Sequence, residues 1–306
     1  MNINGTKRIP ILIDTDPGVD DFFCIAIGCA FPELFDLRAI TTIGGNNSTD
    51  VTTRNALDIL KLLHREDVPV ARGADSYLVN EFDEPVAKFH GANGLGNVEI
   101  PHSDRQIDPL PAWDKIYEQA KLFPGELVLV TVGPETNLAM AFNKYPDLKQ
   151  MIKKIVVMGG SLDRGNVTEY GEANIWHDAE AGKIVFATGI PIDMVGLNVT
   201  RTAPLKQTIF EGTDDDVRED VKDVIRKLID FRNGEAMHDA IAISSLVSDD
   251  IMIWKDAYTY VVDGVVYNRG QTVADYEAEE KNSRVAVGIH LDAYYRVMKD
   301  MINRYK

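Results

Sequence analysis

Two cysteines in 306 residues, Cys24 and Cys29, leave no room for a disulfide framework. Both fall on one expected helix and read as buried thiols, which favours a reducing cytoplasm. No apolar run reaches the roughly 18 to 20 residues that a membrane span requires. The opening "MNINGTKRIPILIDTD" lacks a small-residue cleavage site and reads as mature protein. Positive charge is scarce as well. Lys and Arg number 32 against 48 Asp and Glu, a formal net charge of −16. Nucleic-acid binding draws on clustered Lys and Arg, and no basic stripe occurs; an anionic membrane surface is disfavoured for the same reason. Paired Cys and closely spaced His, the usual zinc donors, are missing too. So are linkers, low-complexity tracts and repeats, which leaves a single domain over residues 1–306.

What remains is an ordinary soluble composition, 45% hydrophobic and 26% charged, in which most of the acid reads as solvated surface. Strand-length apolar runs alternate with segments of helical period. "RIPILID" reads as a buried strand and "DDFFCIAIGCAF" as a helix opening on two acids. "FDLRAITTIGG", "VPVARG", "ELVLVTVG", "KKIVVMGG" and "IDMVGLNVT" read as further strands. Between them lie the helices "DVTTRNALDILKLLHRE", "PAWDKIYEQAKLF", "ETNLAMAFNKYP" and "DAEAGKIVFATG". The alternation predicts an α/β fold, an open, mainly parallel sheet with helices on both faces. Past residue 200 a smaller helical and antiparallel extension is expected. It comprises an exposed charged helix in "DDDVREDVKDVIRKLIDFRNG", a buried one in "HDAIAISSLVS", β segments in "AYTYVVDG" and "RVAVGIHL", and a final helix. The irregular stretch from Gly73 to about Pro111 is long enough to be functional or mobile.

In open α/β sheets ligands bind outside the carboxyl ends of the strands. Three polar motifs follow strands at that end: "DTDPGVDD", "GGNN" and "MGGS". The first crowds Asp14, Asp16, Asp20 and Asp21 into eight residues and admits three readings. One is a Pro-Gly turn leading into an acidic helix N-terminus. Another is a phosphoryl-transfer aspartate, Asp14, working with Mg2+. The third is a hard-cation site, whose oxygen donors and crowding suit Ca2+ better than Mg2+. The second reading lacks a downstream lysine motif, and Gly18 falls where such motifs usually want Thr or Val. Elsewhere His238 and Asp239 open a helix, His90 sits in a glycine-rich loop, and Asn166, Glu172 and Asn174 follow a strand; each is ambiguous alone.

Taken together, "DTDPGVDD", "TTIGGNN", "FHGANGLG", "LVTVGPETNLAMA", "VVMGG", "GEANIWHDAEAG", "MVGLNVT" and "MHDAIA" resemble the nucleoside hydrolases, the inosine–uridine-preferring family, in order and spacing from Ile9 to Val247. The resemblance implies a Rossmann-like fold and hydrolysis of ribonucleosides to free base and ribose. It implies Asp16 as general base towards water and Ca2+ held by Asp21, Asp16, Asp239 and the Val132 carbonyl. Asp14, grouped with the substrate side, would support that cluster. Asp20 and Asn174 would hold the ribose 2′- and 3′-hydroxyls, Asn166 and Glu172 the 5′-hydroxyl near Met158, and Asn46 would steady metal and sugar. His90 and His238 would face the nucleobase, with His238, at a near-neutral pKa, protonating the departing base. A homotetramer or homodimer is implied as well. One departure stands out. "LIDFRNGEAMHDA" runs directly into His238 where relatives often carry a longer segment with a tyrosine near the base. Arg232 in that segment reads chiefly as a surface arginine, with a role as electrophile the lesser alternative. A non-catalytic nucleoside-binding protein would be marked by loss of Asp16 or Asp239, and both are present. The 73–111 and 212–234 segments are expected to close over substrate.

Overall fold

The computed structural model describes residues 7–82 and 87–306. Residues 83–86, inside the long irregular stretch, and the first six residues of the chain lie outside that description. The strands are β1 (Ile9–Thr15), β2 (Phe35–Thr42), β3 (Val70–Arg72), β4 (Leu127–Thr131), β5 (Ile152–Met158), β6 (Ile192–Val195), β7 (Met252–Val261), β8 (Thr272–Asp275) and β9 (Ser283–Ile289). The helices of the first half are α1 (Val19–Ala30), α2 (Thr49–Leu62), α3 (Ala87–His90), α4 (Ala112–Leu122) and α5 (Thr136–Lys144). Those of the second half are α6 (Ala173–His177), α7 (Ala179–Phe186), α8 (Leu197–Thr200), α9 (Glu219–Phe231), α10 (His238–Ser244) and α11 (Leu291–Asn303). No helix among the described residues is long and apolar enough to cross a membrane.

The strands form one sheet in the order β3-β2-β1-β4-β5-β6-β9-β7-β8. From β3 to β9 every pairing is parallel, and β7 and β8 add antiparallel strands at the far edge. Side chains alternate across this sheet with the strand period of two. Ile11 and Ile13 of β1, Val128 and Val130 of β4 and Val156 of β5 face a core shared with α1, α2, α9, α10 and α11. Leu12, Leu129, Ile155 and Val157 face a second core shared with α4, α5 and α7. Burial on both faces explains why these strands read as unbroken Val/Ile/Leu runs.

Progression along the sheet reverses between β1 and β4. From β1 the chain moves outward through β2 to β3, then returns to β4 on the other side. The connections leave in opposite directions there and open a crevice at the carboxyl ends of β1 and β4, where ligands of doubly wound folds bind. Asp14, near the end of β1, pairs in register with Thr41 of β2 and Thr131 of β4.

Four sequence expectations need correction. "IDMVGLNVT" is strand only to Val195; the chain then turns into α8, because Asn198 and Thr200 sit beyond the sheet edge, where no strand partner remains. The charged helix α9 is not exposed all round: Val221, Val224, Ile225, Leu228 and Ile229 form a buried seam at helical spacing. Strand β8 was not anticipated, being only four residues of weak alternation on the sheet edge. The described part of the Gly73–Pro111 stretch is largely irregular but includes the short helix α3. Cys24 and Cys29 are free, buried thiols on α1, as expected.

Candidate active site

The crevice holds a cavity of about 610 Å3. Asp16 and Asp20 reach it from the turn into α1, Gly45 and Asn46 from the loop after β2, and Val132 from the end of β4. Met158 comes from the end of β5, Asn166 and Glu172 from the segment leading into α6, Asn174 from α6 itself, Arg232 from the end of α9, and His238 and Asp239 from the first turn of α10. Residues separated by more than 200 positions converge because all are carried at one sheet edge.

Helices α1 and α10 pack together, so their first turns meet. Asp20, Asp21 and Asp239 each bring a carboxylate oxygen within 4.8 Å of the other two. The positive ends of two helix dipoles ease the crowding. Asp21 is the most fully bonded: it accepts from Thr15 Oγ1, from the Gly18 amide at 2.8 Å and from Asn46 Nδ2 at 3.0 Å. The contact with Gly18 caps α1, so the helix-terminus reading of this motif holds for Asp21 but explains no other aspartate. Asp16 accepts from the Asn46 amide at 2.7 Å through Oδ2, while its Oδ1 and the Asp20 Oδ1 are buried with no hydrogen-bond partner among the described residues.

Burial, then the Asp21 charge, pushes the Asp16 carboxyl well up. Burial, then the charges of Asp20, Asp21 and Asp16, does the same to Asp239. Asp21 is pushed up to about 6 by burial and by Asp20. Asp20 alone moves down: burial opposes it, but Arg232, His90 and His238 outweigh that effect. Unpartnered buried oxygens, mutually raised carboxyls and an all-oxygen donor set fit a hard divalent cation. The three closest carboxylates include Asp20, which the resemblance placed on the sugar, whereas Asp16 lies beside them.

Asp14 departs from its grouping with substrate-binding residues. It is fully buried, accepts from Thr41 Oγ1 and, at 2.9 Å, from Asn137 Nδ2, and does not line the cavity. A nucleophile must be reachable, so the phosphoryl-transfer reading fails on geometry. Burial pushes Asp14 up to about 7 against those two hydrogen bonds.

On the sugar side of the resemblance, Asn174 Nδ2 donates to the carbonyls of Val132 at 3.1 Å and Met158 at 3.0 Å. Glu172 caps α6, accepting from the amides of Asn174 and Ile175, and also accepts from Gly160 N at 2.9 Å; burial pushes it up to about 7. Asn166 accepts from the Ala173 amide at 2.9 Å, which fixes its loop against the start of α6.

Across the cavity, His90 Nδ1 accepts from the Val19 amide at 3.1 Å. That lone pair requires a neutral ring, and burial holds His90 down at about 4. Gly18 makes the approach possible, since a Cβ there would lie 2.3 Å from His90 Nδ1. His238 Nδ1 pairs with Thr200 Oγ1 at 2.7 Å. Burial, aided by Arg232 and against Asp20, holds its pKa at about 4 rather than near neutrality. Arg232 is not a surface arginine: it is 8% exposed and forms part of the cavity wall. The buried seam of α9 draws its last turn inward, a placement that a charge-rich sequence window hides. Thr15, Thr41 and Asn137, which brace the aspartates, were assigned no role from sequence. Their signal was the polar residue closing an otherwise apolar strand or opening the next helix.

The sequence profile of the inosine-uridine preferring nucleoside hydrolases matches residues 11–296. The chain belongs to this family. This nucleoside hydrolase is 32% identical over 311 residues to the pyrimidine-specific ribonucleoside hydrolase RihA of Salmonella arizonae, covering 97% of this chain and 99% of that one. It is 36% identical over 291 residues to the non-specific ribonucleoside hydrolase RihC of Escherichia fergusonii, covering 93% and 94%. Among solved structures, a plant nucleoside hydrolase superposes with a TM-score of 0.88 at 30% identity, over 97% of this chain and 99% of that one. The purine-preferring ribonucleoside hydrolase from Gardnerella vaginalis also gives 0.88, at 31% identity over 96% and 98%. The nucleoside hydrolase cleaves the N-glycosidic bond of ribonucleosides, releasing free base and ribose.

Proposed function

We propose that this nucleoside hydrolase uses Asp16 as general base and Ca2+ as cofactor. The observation carrying the reading is the buried carboxylate group at the topological switch, with Asp16 in the cavity wall and its Oδ1 buried with no hydrogen-bond partner among the described residues. Asp16, Asp21, Asp239 and the Val132 carbonyl would hold the ion, with Asp20 close by. Bound there, Ca2+ would offset the carboxylates' repulsion and make nearby water more acidic.

The chain's own groups do the rest. Asp16 takes a proton from water through Oδ1 while the Asn46 amide fixes Oδ2. The C1′–N bond breaks through an oxocarbenium-like transition state, and the surrounding carboxylates stabilise its positive charge in a poorly hydrated site. Asp20 and Asn174 hold the 2′- and 3′-hydroxyls, and Asn166 and Glu172 the 5′-hydroxyl, so the sugar is positioned before reaction. His90 and His238 face the base; His238, neutral at pH 7, hydrogen-bonds to it through the ring nitrogen that Thr200 leaves free. Relatives named for pyrimidines, for purines and for neither support a substrate range spanning both classes.

Purified protein assayed for free base on purine and pyrimidine ribosides, 2′-deoxyribosides and nucleotides tests this reading. Ribosides should be cleaved and deoxyribosides far less, with activity lost to a chelator and restored by Ca2+. Full turnover after exhaustive chelation would remove the cofactor, and an inert response to every riboside would remove the reading.

A further inference from the structure

We propose that Arg232 is a catalytic residue of this enzyme, the permanent cation that carries the negative charge of the departing nucleobase. The proposal rests on the reading above only in placing the base beside His90 and His238.

Arg232 ends α9, its amide donating to the Leu228 carbonyl. Asn233 and Gly234 follow with φ of 50° and 71°. This left-handed pair reverses the chain at once, so only the six residues 232–237 separate α9 from His238. The short connection thus delivers a guanidinium and an imidazole to the same wall of the cavity. Arg232 has five N–H donors and no acceptor. One Nη is 3.2 Å from the exposed Glu235 carboxylate and the other makes a long 3.4 Å contact to the Phe89 carbonyl. Its Nε is buried with no partner among the described residues. A buried donor left unpaired is costly, and Arg232 lies in the wall of the cavity that would hold the base.

The chemistry of the reaction supplies the missing acceptor. As the C1′–N bond breaks, its electron pair stays on the base. Water oxygen bonds to C1′, its proton passes to Asp16, and the base departs with a negative charge that spreads over ring nitrogens and carbonyl oxygens. Both purines and pyrimidines present such acceptors. A guanidinium stays protonated throughout, so it stabilises the anion by charge and hydrogen bonding without giving up a proton. Proton transfer from solvent completes the free base after release, and Asp16 returns its proton to water. This is the same logic as an oxyanion donor, strongest where charge develops.

Two variants, R232A and R232Q, test the assignment on inosine, uridine and 4-nitrophenyl riboside, whose leaving group needs no such help. The expected result is a kcat/KM loss of about 100- to 1,000-fold on the nucleosides and less than about threefold on the nitrophenyl compound, which also reports a folded site. Added guanidinium ion should restore part of the nucleoside activity of R232A. Equal losses on both substrate types would overturn the proposal and make Arg232 a positioning residue for Asp20. Loss below about threefold on both would leave it no part in the reaction. Wild-type protein inert towards all three substrates would instead remove the broader reading of the enzyme.

Discussion

Asp16 sits between two glycines whose missing side chains define its place. A Cβ on Gly45 would lie 2.2 Å from Asp16 Oδ2, and one on Gly133 would lie 2.9 Å from Oδ1. Neither glycine has a left-handed backbone, so the requirement is for space. Replacing Asp16 by Ala should lower kcat by about 100- to 10,000-fold, the span of general-base effects, with circular dichroism unchanged. Gly45→Ala is the subtler variant. It keeps the carboxylate but displaces it, so kcat should fall by at least tenfold while the fold persists. Normal turnover in Gly45→Ala would show that the position of Asp16 is not critical. From the sequence, "GGNN" after a strand marked a ligand-binding edge. It could not show that the second glycine clears space for a residue 29 positions earlier.

At the scale of elements, β6 and β9 are joined by more than their ladder. Asp193 on β6 accepts from Arg284 of β9 at 2.5 and 2.9 Å and from Lys154 of β5 at 2.6 Å. Burial works against the ionised form, but Arg284 and Lys154 outweigh it and hold the carboxyl below its ordinary range. A carboxylate whose folded pKa is depressed contributes stability above its unfolded pKa and loses it as pH falls through the folded value. Asp193→Asn should therefore cost about 1 to 3 kcal/mol of unfolding free energy at pH 7, measured by denaturant titration. The difference from wild type should shrink as pH falls below the ordinary aspartate range and through the depressed folded value. A constant difference across that range would separate the cost from ionisation. The parallel strands were legible because burial on both faces leaves continuous apolar runs. Strand β8 was not, because an edge strand of four residues carries almost no pattern. Helix α9 was located but assigned to solvent, since charge content says nothing about which stripe packs.

For the whole molecule, the buried acids bear on stability, and those of the cluster bear on the proposed metal binding as well. Burial pushes Glu135 up to about 8 and Asp14 and Glu172 up to about 7, and Asp16, Asp21 and Asp239 rise with them while Asp20 does not. Groups with raised folded pKa contribute stability that is present below the unfolded value, near pH 4, and is lost as pH rises through the folded values. The chelated protein should accordingly melt higher at pH 5.5 than at pH 8 in calorimetry. Added Ca2+ should raise Tm more at pH 8, where the carboxylates are ionised, with about 2.7 kcal/mol expected at a hundredfold excess over Kd. A chelated Tm that rises with pH would contradict this account.

The sequence by itself determined the layered α/β plan, through hydrophobic period, and the oxygen-rich chemistry of the site, through the types of side chain closing each strand. Both are local properties, written in short windows. Only the tertiary structure decided which acids meet: Asp239 joins Asp20 and Asp21 because α10 lies on α1, while Asp14, two residues from Asp16, is sealed beneath the cavity. It likewise turned Arg232 inward and lowered both histidines. Burial and charge proximity act through space, and the spacing of residues along a chain does not contain them.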